Sequence, residues 1–271
     1  MSLRNLIGSF KQRDIDYEHN QVLTDQIKTT FPKYYYEFCN DQDKTDITIP
    51  KGQEDGKEIE KLSGSGSEYR SGAIETDVYM VESLTDEQLN CCLNILDINL
   101  GGVYKELNGS NWKEQKLIEM KEKELNYILL YKREKKGDAN DIEKKIIGFM
   151  SMRVLQENVQ VIYLYEIQII PEYRGKGLGT HLLDNFHSLV PDLNKNEKFK
   201  SIYSRYKEAN VRGTQLTVFS SNTGADKLYR SLGYVPTGDS PRDRKLRSGA
   251  VIKPDYYLLE RMCHKSSRRK R

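Results

Sequence analysis

One stretch limits what this chain can become: a strand that runs into a glycine-rich turn and restarts as a helix. Val161 to Ile170 is a run of β-branched, aromatic and aliphatic residues interrupted only by Glu166 and Gln168, the composition of a largely buried strand. Arg174-Gly175-Lys176-Gly177-Leu178-Gly179 follows. Leu178, Leu182, Leu183, Phe186, Leu189 and Val190 then mark one face of a helix that Pro191 is expected to close. In such a turn the amides of Arg174 to Gly179 point inward and the helix adds its positive end, so a phosphate finds donors and a favourable dipole without a metal. Glycines are needed because side chains there would block close approach. A Walker loop is absent, since no Gly-Lys-Ser/Thr follows four intervening residues. The dinucleotide fingerprint is also unmet, because the third glycine comes one position early and no βαβ repeat surrounds it.

The remaining chain divides by composition. Residues 1–40 read as a helical leader, with Ile15, Val22, Ile27 and Phe31 apolar among charges and Pro32 as its stop. Residues 41–73 are rich in Lys, Asp, Glu, Gly and Ser and have too few large apolar residues to offset ordering entropy, which predicts a flexible insertion. The main domain is expected over 74–262, and 263–271 form a basic tail. Within the domain, Asp77–Val81 reads as a first strand. Thr85 and Gln88 form a capping box for a helix through Leu89, Cys92, Leu93, Leu96 and Leu100 that Gly101-Gly102 would end. A loop from Tyr104 to Asn111 and a charged helix from Trp112 come next. Strands at 127–131, 146–154 and 161–170 then form a meander. Residues 192–213 read as a long polar connection. A strand at 215–219, a helix capped by Asn222 and ended by Gly233, and strands at Tyr234-Val235 and Tyr256–Leu259 complete a mixed sheet.

The pattern Arg174-x-x-Gly177-x-Gly179 resembles the pyrophosphate loop of the GNAT superfamily of N-acetyltransferases. Asn222-x-x-Ala225-x-x-x-Tyr229-x-x-x-Gly233-Tyr234 resembles that superfamily's second signature. The resemblance implies an α/β (α+β) fold with a mixed, mostly antiparallel sheet splayed at the cofactor strand. It also implies acetyl-CoA as cofactor, CoA as product and no metal. Ile167, Gln168, Ile169, Arg174, Gly175, Lys176, Gly177, Leu178, Gly179, Thr180, Asn222, Ala225 and Tyr229 would then hold the cofactor. Tyr163-x-Tyr165-Glu166-Ile167-Gln168 and Leu216-Thr217-Val218-Phe219-x-x-Asn222-x-Gly224-Ala225 are similar to the N-alpha-acetyltransferase D family, which acetylates the amino-terminal serine of histone H4 and histone 2A. That likeness implies Glu166 as general base, acting directly or through a water on an amine of pKa about 7.7–8.0. Amides around Ile167 to Ile169 would polarise the carbonyl, and Tyr229 would serve the departing thiolate. Tyr104, Trp112, Tyr163, Tyr165, Thr217 and Tyr256 would wall the peptide pocket. The family's acidic peptide-gripping position reads Val154 here; either Glu157, three residues on, takes the role after a register shift, or other groups recognise the arginine at the third peptide position.

Charge and cysteines narrow the partners. The net charge of +3 hides a tail, His264 to Arg271, with five basic residues and no acid; setting it aside leaves 38 basic residues against 40 acidic. A slightly acidic body argues against direct nucleic-acid binding, and the tail reads equally as a solubilising end or an import signal. No run of 18 apolar residues suggests a membrane span. Cys39, Cys91, Cys92 and Cys263 show no zinc spacing and read as reduced thiols. The expectation is a monomer of cytoplasm and nucleus acting on histone tails. The alternatives are acetylation of a lysine side chain or small-molecule amine, and a non-catalytic acyl-CoA or histone-tail binding module.

Overall fold

The computed structural model describes residues 17–39, 45–48, 74–135, 142–156, 160–203 and 210–263. Helix α1 (Tyr17–Thr30) leads into β1 (Tyr34–Cys39) and β2 (Thr45–Thr48), and β3 (Ile74–Met80) opens the main meander. Helices α2 (Asp86–Asn108) and α3 (Trp112–Met120) precede β4 (Asn126–Lys135), β5 (Ile142–Gln156) and β6 (Gln160–Ile169). After the glycine-rich turn come α4 (Leu178–Lys195), α5 (Glu197–Tyr203), β7 (Gly213–Phe219), α6 (Thr223–Ser231) and β8 (Val235–Pro236). A small hairpin of β9 (Arg244–Lys245) and β10 (Val251–Ile252) leads to β11 (Tyr256–Met262). The described strands form a nine-stranded sheet in the order β2-β1-β3-β4-β5-β6-β7-β11-β8, and β9 and β10 pair separately.

All main-sheet pairings are antiparallel except β6 with β7. That parallel pairing runs only from Val161↔Gly213 to Leu164↔Leu216. Beyond it the two strands part, so Tyr165 to Ile169 keep β5 on one edge and have no strand on the other. This is the expected splay. A second irregularity lies in the same place. Ser151 pairs with Glu166 but Met152 with Leu164, so Tyr165 is an extra residue in β6. Because strand side chains alternate faces, one extra residue reverses the phase. Ile162 and Leu164 before the bulge, and Ile167 and Ile169 after it, all join the large core cluster. Glu166 and Gln168 thus meet Tyr104, Lys116 and Asn99 from α2 and α3, and the bulge brings Tyr163 and Tyr165 together on that face.

The core lies on both faces of the sheet. On one, α4 buries Leu182, Leu183, Phe186, Leu189, Val190 and Leu193, each contributing about 1.5–3 kcal/mol of transfer free energy. On the other, α2 starts at the predicted capping box: Gln88 N donates to Thr85 Oγ1 at 3.1 Å and Thr85 N to Gln88 Oε1 at 2.9 Å. Helix α6 ends as expected at Gly233 (φ +88°), where Gly233 N bonds Arg230 O and Tyr234 N bonds Tyr229 O, both at 3.1 Å.

Several boundaries differ from the sequence reading. The glycines at 101–102 do not end α2, which continues to Asn108 and carries Tyr104 inside the helix rather than in a loop. Gly101 is there for packing: a Cβ would meet Asp97 Oδ1 at 2.2 Å and Trp112 Cζ2 at 3.4 Å. Pro191 does not end α4, because buried Leu193 continues the same apolar face for one more turn. Residues 192–213 include the rest of α4 and all of α5, so they are not simply a polar connection. The leader is not separate either. Leu23, Ile27, Phe31 and Tyr35 are in the main core, and β1 pairs with β3. Thr45–Thr48, within the segment read as a flexible insertion, pairs with Tyr36–Cys39. The rest of 41–73, the leader before Tyr17 and the tail beyond Cys263 lie outside the described residues.

Candidate active site

A cavity of about 750 Å³ fills the split between β6 and β7. It runs from the start of α4 (Gly177, Gly179, Thr180), along Tyr163 to Ile169, to Asn222, Ala225 and Tyr229 on one side and Tyr104 and Lys116 on the other. Most of the residues singled out from the sequence come together around it. Lys176 and Leu178 do not line the cavity: the Lys176 ammonium lies 5.2 Å from the centroid of the Tyr173 ring, and the Leu178 side chain is in the core.

The turn is shaped for an anion. Gly175 and Gly177 have φ of +72° and +83°, a left-handed conformation that favours glycine. Gly177 is the N-cap of α4 and no side chain caps that helix, so its first amides have no intrahelical acceptor. A Cβ at Gly175 or Gly224 would meet nothing within 4 Å, and one at Gly179 only Ile169 Cδ1 at 3.8 Å. The fold itself does not need glycine at 179 or 224, and both leave open space at the cavity. Arg174 Nε donates to Ile169 O at 2.8 Å and Asn99 Nδ2 to the same oxygen at 3.1 Å, pinning the end of β6 to the turn. Asn222 Oδ1 caps α6 through Ala225 N at 3.2 Å, and its NH2 group is the part able to donate to a ligand.

The other end of the cavity holds a buried charge cluster that sequence reasoning missed. Lys116 Nζ lies 2.7 Å from Glu166 Oε1 and 3.3 Å from Glu119 Oε2, with the Lys116 and Glu166 side chains 8% and 7% exposed. Tyr104 OH donates to Glu166 Oε1 at 3.3 Å and Gln168 Nε2 to Glu166 Oε2 at 2.8 Å. Asn99 Nδ2 in turn donates to Gln168 Oε1 at 2.9 Å. Burial works against the Lys116 ammonium, but the Glu166 carboxylate, Tyr104 and Glu119 outweigh it and hold its pKa well above the ordinary lysine range. Burial raises the Glu119 carboxyl even though Lys116 pulls it down. Burial also raises the phenols of Tyr104 and Tyr229, and pushes Tyr163 up to about 12. These tyrosines therefore stay protonated and donate.

Aromatic rings close this end. Tyr104 meets Phe219 edge-on at 5.2 Å and Tyr163 meets Tyr165 at 5.0 Å, while the Tyr163 hydroxyl bonds Thr217 Oγ1. Trp112 stacks behind Tyr104 at 4.9 Å and does not reach the cavity, so it supports the wall without forming it. Tyr256 pairs with Phe219 in the sheet but is not among the lining residues. Val154 is buried in the core, on the opposite face of β5 from a substrate over Tyr165. The β5 residue on that face is Arg153, whose guanidinium lies 5.0 Å from the centroid of the Tyr165 ring and 3.5 Å from Glu122. Glu157 lies outside the described residues.

A split parallel pair, a bulged strand and an uncapped helix entry define the GNAT fold, and residues 128–236 match the family model described as an acetyltransferase (GNAT) domain. The cofactor of this fold is acetyl-CoA, and the uncapped α4 entry, the glycine-lined space and the open edge of β6 fit it. Among the described residues no group of three or more His, Cys, Asp or Glu could hold a metal ion, and no helix is long and apolar enough to cross a membrane.

The chain is 32% identical over 195 residues to N-alpha-acetyltransferase 40 of Saccharomyces cerevisiae, covering 65% of each chain. It is 24% identical over 109 residues to L-2,4-diaminobutyric acid acetyltransferase of Streptomyces avermitilis, covering 40% of this chain and 51% of that one. It thus spans less than two thirds of either curated relative. Among solved structures, it resembles PH1933 from Pyrococcus horikoshii OT3, with a TM-score of 0.44 and 16% identity over 70% of this chain and 100% of that one.

Proposed function

We propose that the chain is an N-alpha-acetyltransferase of the D type, acetylating the amino-terminal serine of Ser-Gly-Arg-Gly tails such as those of histone H4 and histone 2A. It would act as a monomer in cytoplasm and nucleus. The observation that carries this reading is the placement of Glu166, a carboxylate at the aromatic-walled end of the cavity, 2.7 Å from a buried ammonium. An α-amine with a pKa of about 7.7–8.0 is partly neutral near pH 7 and needs only a weak base, whereas a lysine side chain near 10.4 needs a strong one. The aromatic closure around Tyr104, Tyr163 and Phe219 favours a small first residue over a long side chain, and the relative in Saccharomyces cerevisiae bears an N-alpha-acetyltransferase name.

Bound acetyl-CoA supplies an activated acyl group as a thioester. The residues of the chain do the rest. The entry to α4 holds the diphosphate, and the open edge of β6 from Tyr165 to Ile169 offers amides. Glu166 accepts a hydrogen bond, and then the proton, from the incoming amine, directly or through a water. Tyr229, kept protonated by burial, can donate at the opposite end of the reacting centre. Arg153 and Glu122 lie together beside Tyr165, and a substrate arginine reaching them would compete with Arg153 for Glu122. The test is a panel of tetrapeptides differing only at the first and third residues. Ser-Gly-Arg-Gly should be acetylated at least tenfold faster than the same peptide starting with Leu or Lys; equal rates would remove the pocket argument.

A further inference from the structure

We propose that Lys116 is a positioning residue for Glu166, a cation that pairs with the base and moves to Glu119 when the substrate amine enters. The inference rests on the reading of Glu166 as base. It comes from the arrangement of three charges. Lys116 projects from α3 into the cavity and lies between two carboxylates, 2.7 Å from Glu166 and 3.3 Å from Glu119. One ammonium thus serves two carboxylates, and the cluster has a deficit of one positive charge. An incoming α-ammonium supplies the missing charge. With two cations and two carboxylates, the lowest-energy arrangement gives each carboxylate its own partner: the substrate amine on Glu166, which borders the cavity, and Lys116 on Glu119, on its own helix three residues away.

Other groups facing Glu166 do not take this role. Tyr104 from α2, Tyr127 from β4, Tyr163 from its own strand and Tyr229 from α6 carry phenols that burial keeps neutral. Asn99 and Gln168 are neutral amides that hold the second oxygen of Glu166 in place. Lys116 is therefore the cation that pairs with Glu166 among the described residues. Without it, Glu166 and Glu119 would face each other across a low-dielectric space, where two like charges cannot both ionise easily.

The experiment compares wild type, Lys116→Met, Lys116→Arg and Glu119→Gln as full chains. Two readouts are used: the Glu166 side-chain carboxyl titration by carbon NMR, and the pH profile of kcat/KM for a Ser-Gly-Arg-Gly peptide. Lys116→Met should raise the Glu166 midpoint by at least one pH unit, a tenfold change in its protonation equilibrium, and move the acid limb of the profile with it. Lys116→Arg should restore both, which a merely structural loss would not. Glu119→Gln leaves Lys116 no second anchor, so KM for the peptide should rise about tenfold with kcat changed less than threefold. An unmoved midpoint in Lys116→Met, or an unchanged KM in Glu119→Gln, overturns the proposal. A wild-type chain that acetylates no peptide amine would sink the N-terminal reading instead, and the carboxyl titration would still decide the pairing.

Discussion

Replacing Glu166 with Gln separates chemistry from packing more sharply than any other change in this molecule. The substitution keeps the shape and removes one charge. Lys116 is not stranded, because Glu119 remains 3.3 Å away, so the full penalty for orphaning a buried cation, about 3–5 kcal/mol, does not apply. The cost lies in hydrogen-bond direction. Glu166 accepts on both oxygens: from Lys116 and Tyr104 on Oε1, and from Gln168 on Oε2. A glutamine must turn its NH2 toward one of those sets of donors. Gln168 cannot flip to meet it without losing its bond from Asn99. One unmatched pair in a buried network costs about 1–2 kcal/mol, which lowers Tm by about 2–8 °C for a domain of this size. Turnover should fall much further, by about 10²–10⁴-fold, the usual contribution of a positioned base. Acetyl-CoA affinity should hold within about threefold, since the diphosphate cradle is at the far end of the cavity. Calorimetric titration of cofactor, a thermal melt and peptide turnover by mass spectrometry measure the three terms. Turnover within threefold of wild type, or a rate loss explained by lost cofactor binding, would refute the reasoning.

Three further outcomes follow from single residues. Gly177→Ala places a Cβ at φ +83°, which should cost about 1–2 kcal/mol of stability and weaken acetyl-CoA binding at least tenfold by calorimetry. Gly148→Ala drives a methyl to 2.7 Å from Gln168 O and 3.3 Å from Ile169 Cα; overpacking of about 1–3 kcal/mol should appear as a lower Tm together with weaker cofactor binding, because the displaced backbone belongs to the stretch of β6 that lines the cavity. His187, bonded to Tyr234 OH at 3.1 Å, is held down to about 4 from 6.5 by burial and then by Arg261. The unfolded chain takes up that proton first, so the His187 contribution is complete above pH 6.5 and is lost as pH falls toward 4. After discounting for partial exposure it amounts to about 2 kcal/mol, and His187→Gln should flatten the melting-temperature profile over that window.

What the sequence revealed and what it hid divide along one physical line. Features whose cause is local were legible: the Thr85–Gln88 box, the Asn222 cap, the Gly233 stop and the glycine turn each depend on residues three or four apart. Features caused by packing between distant segments were not. Lys116 sits in a run of charges, Lys113-Glu114-Gln115-Lys116, that reads as a solvated helix face. Only the docking of α3 beside β6 buries it against Glu166. In the sequence Gly101 reads as a stop, because nothing nearby discloses that Asp97 and Trp112 crowd it. The bulge at Tyr165 leaves no mark in a hydrophobic run, yet it puts Tyr163, Tyr165 and Glu166 on one face. The family's acidic position falls on Val154 in the sequence, and only the register assigns that side chain to the core.

The central claim is that this cavity delivers acetyl to a peptide α-amine. Its most direct test is mass spectrometry of two peptides incubated with the full chain and acetyl-CoA: one with a free amino-terminal serine, and one blocked at that amine but carrying an internal lysine. The account predicts a single acetyl group on the serine nitrogen of the first peptide and none on the second. Acetylation of the lysine with the free amine left untouched would contradict it.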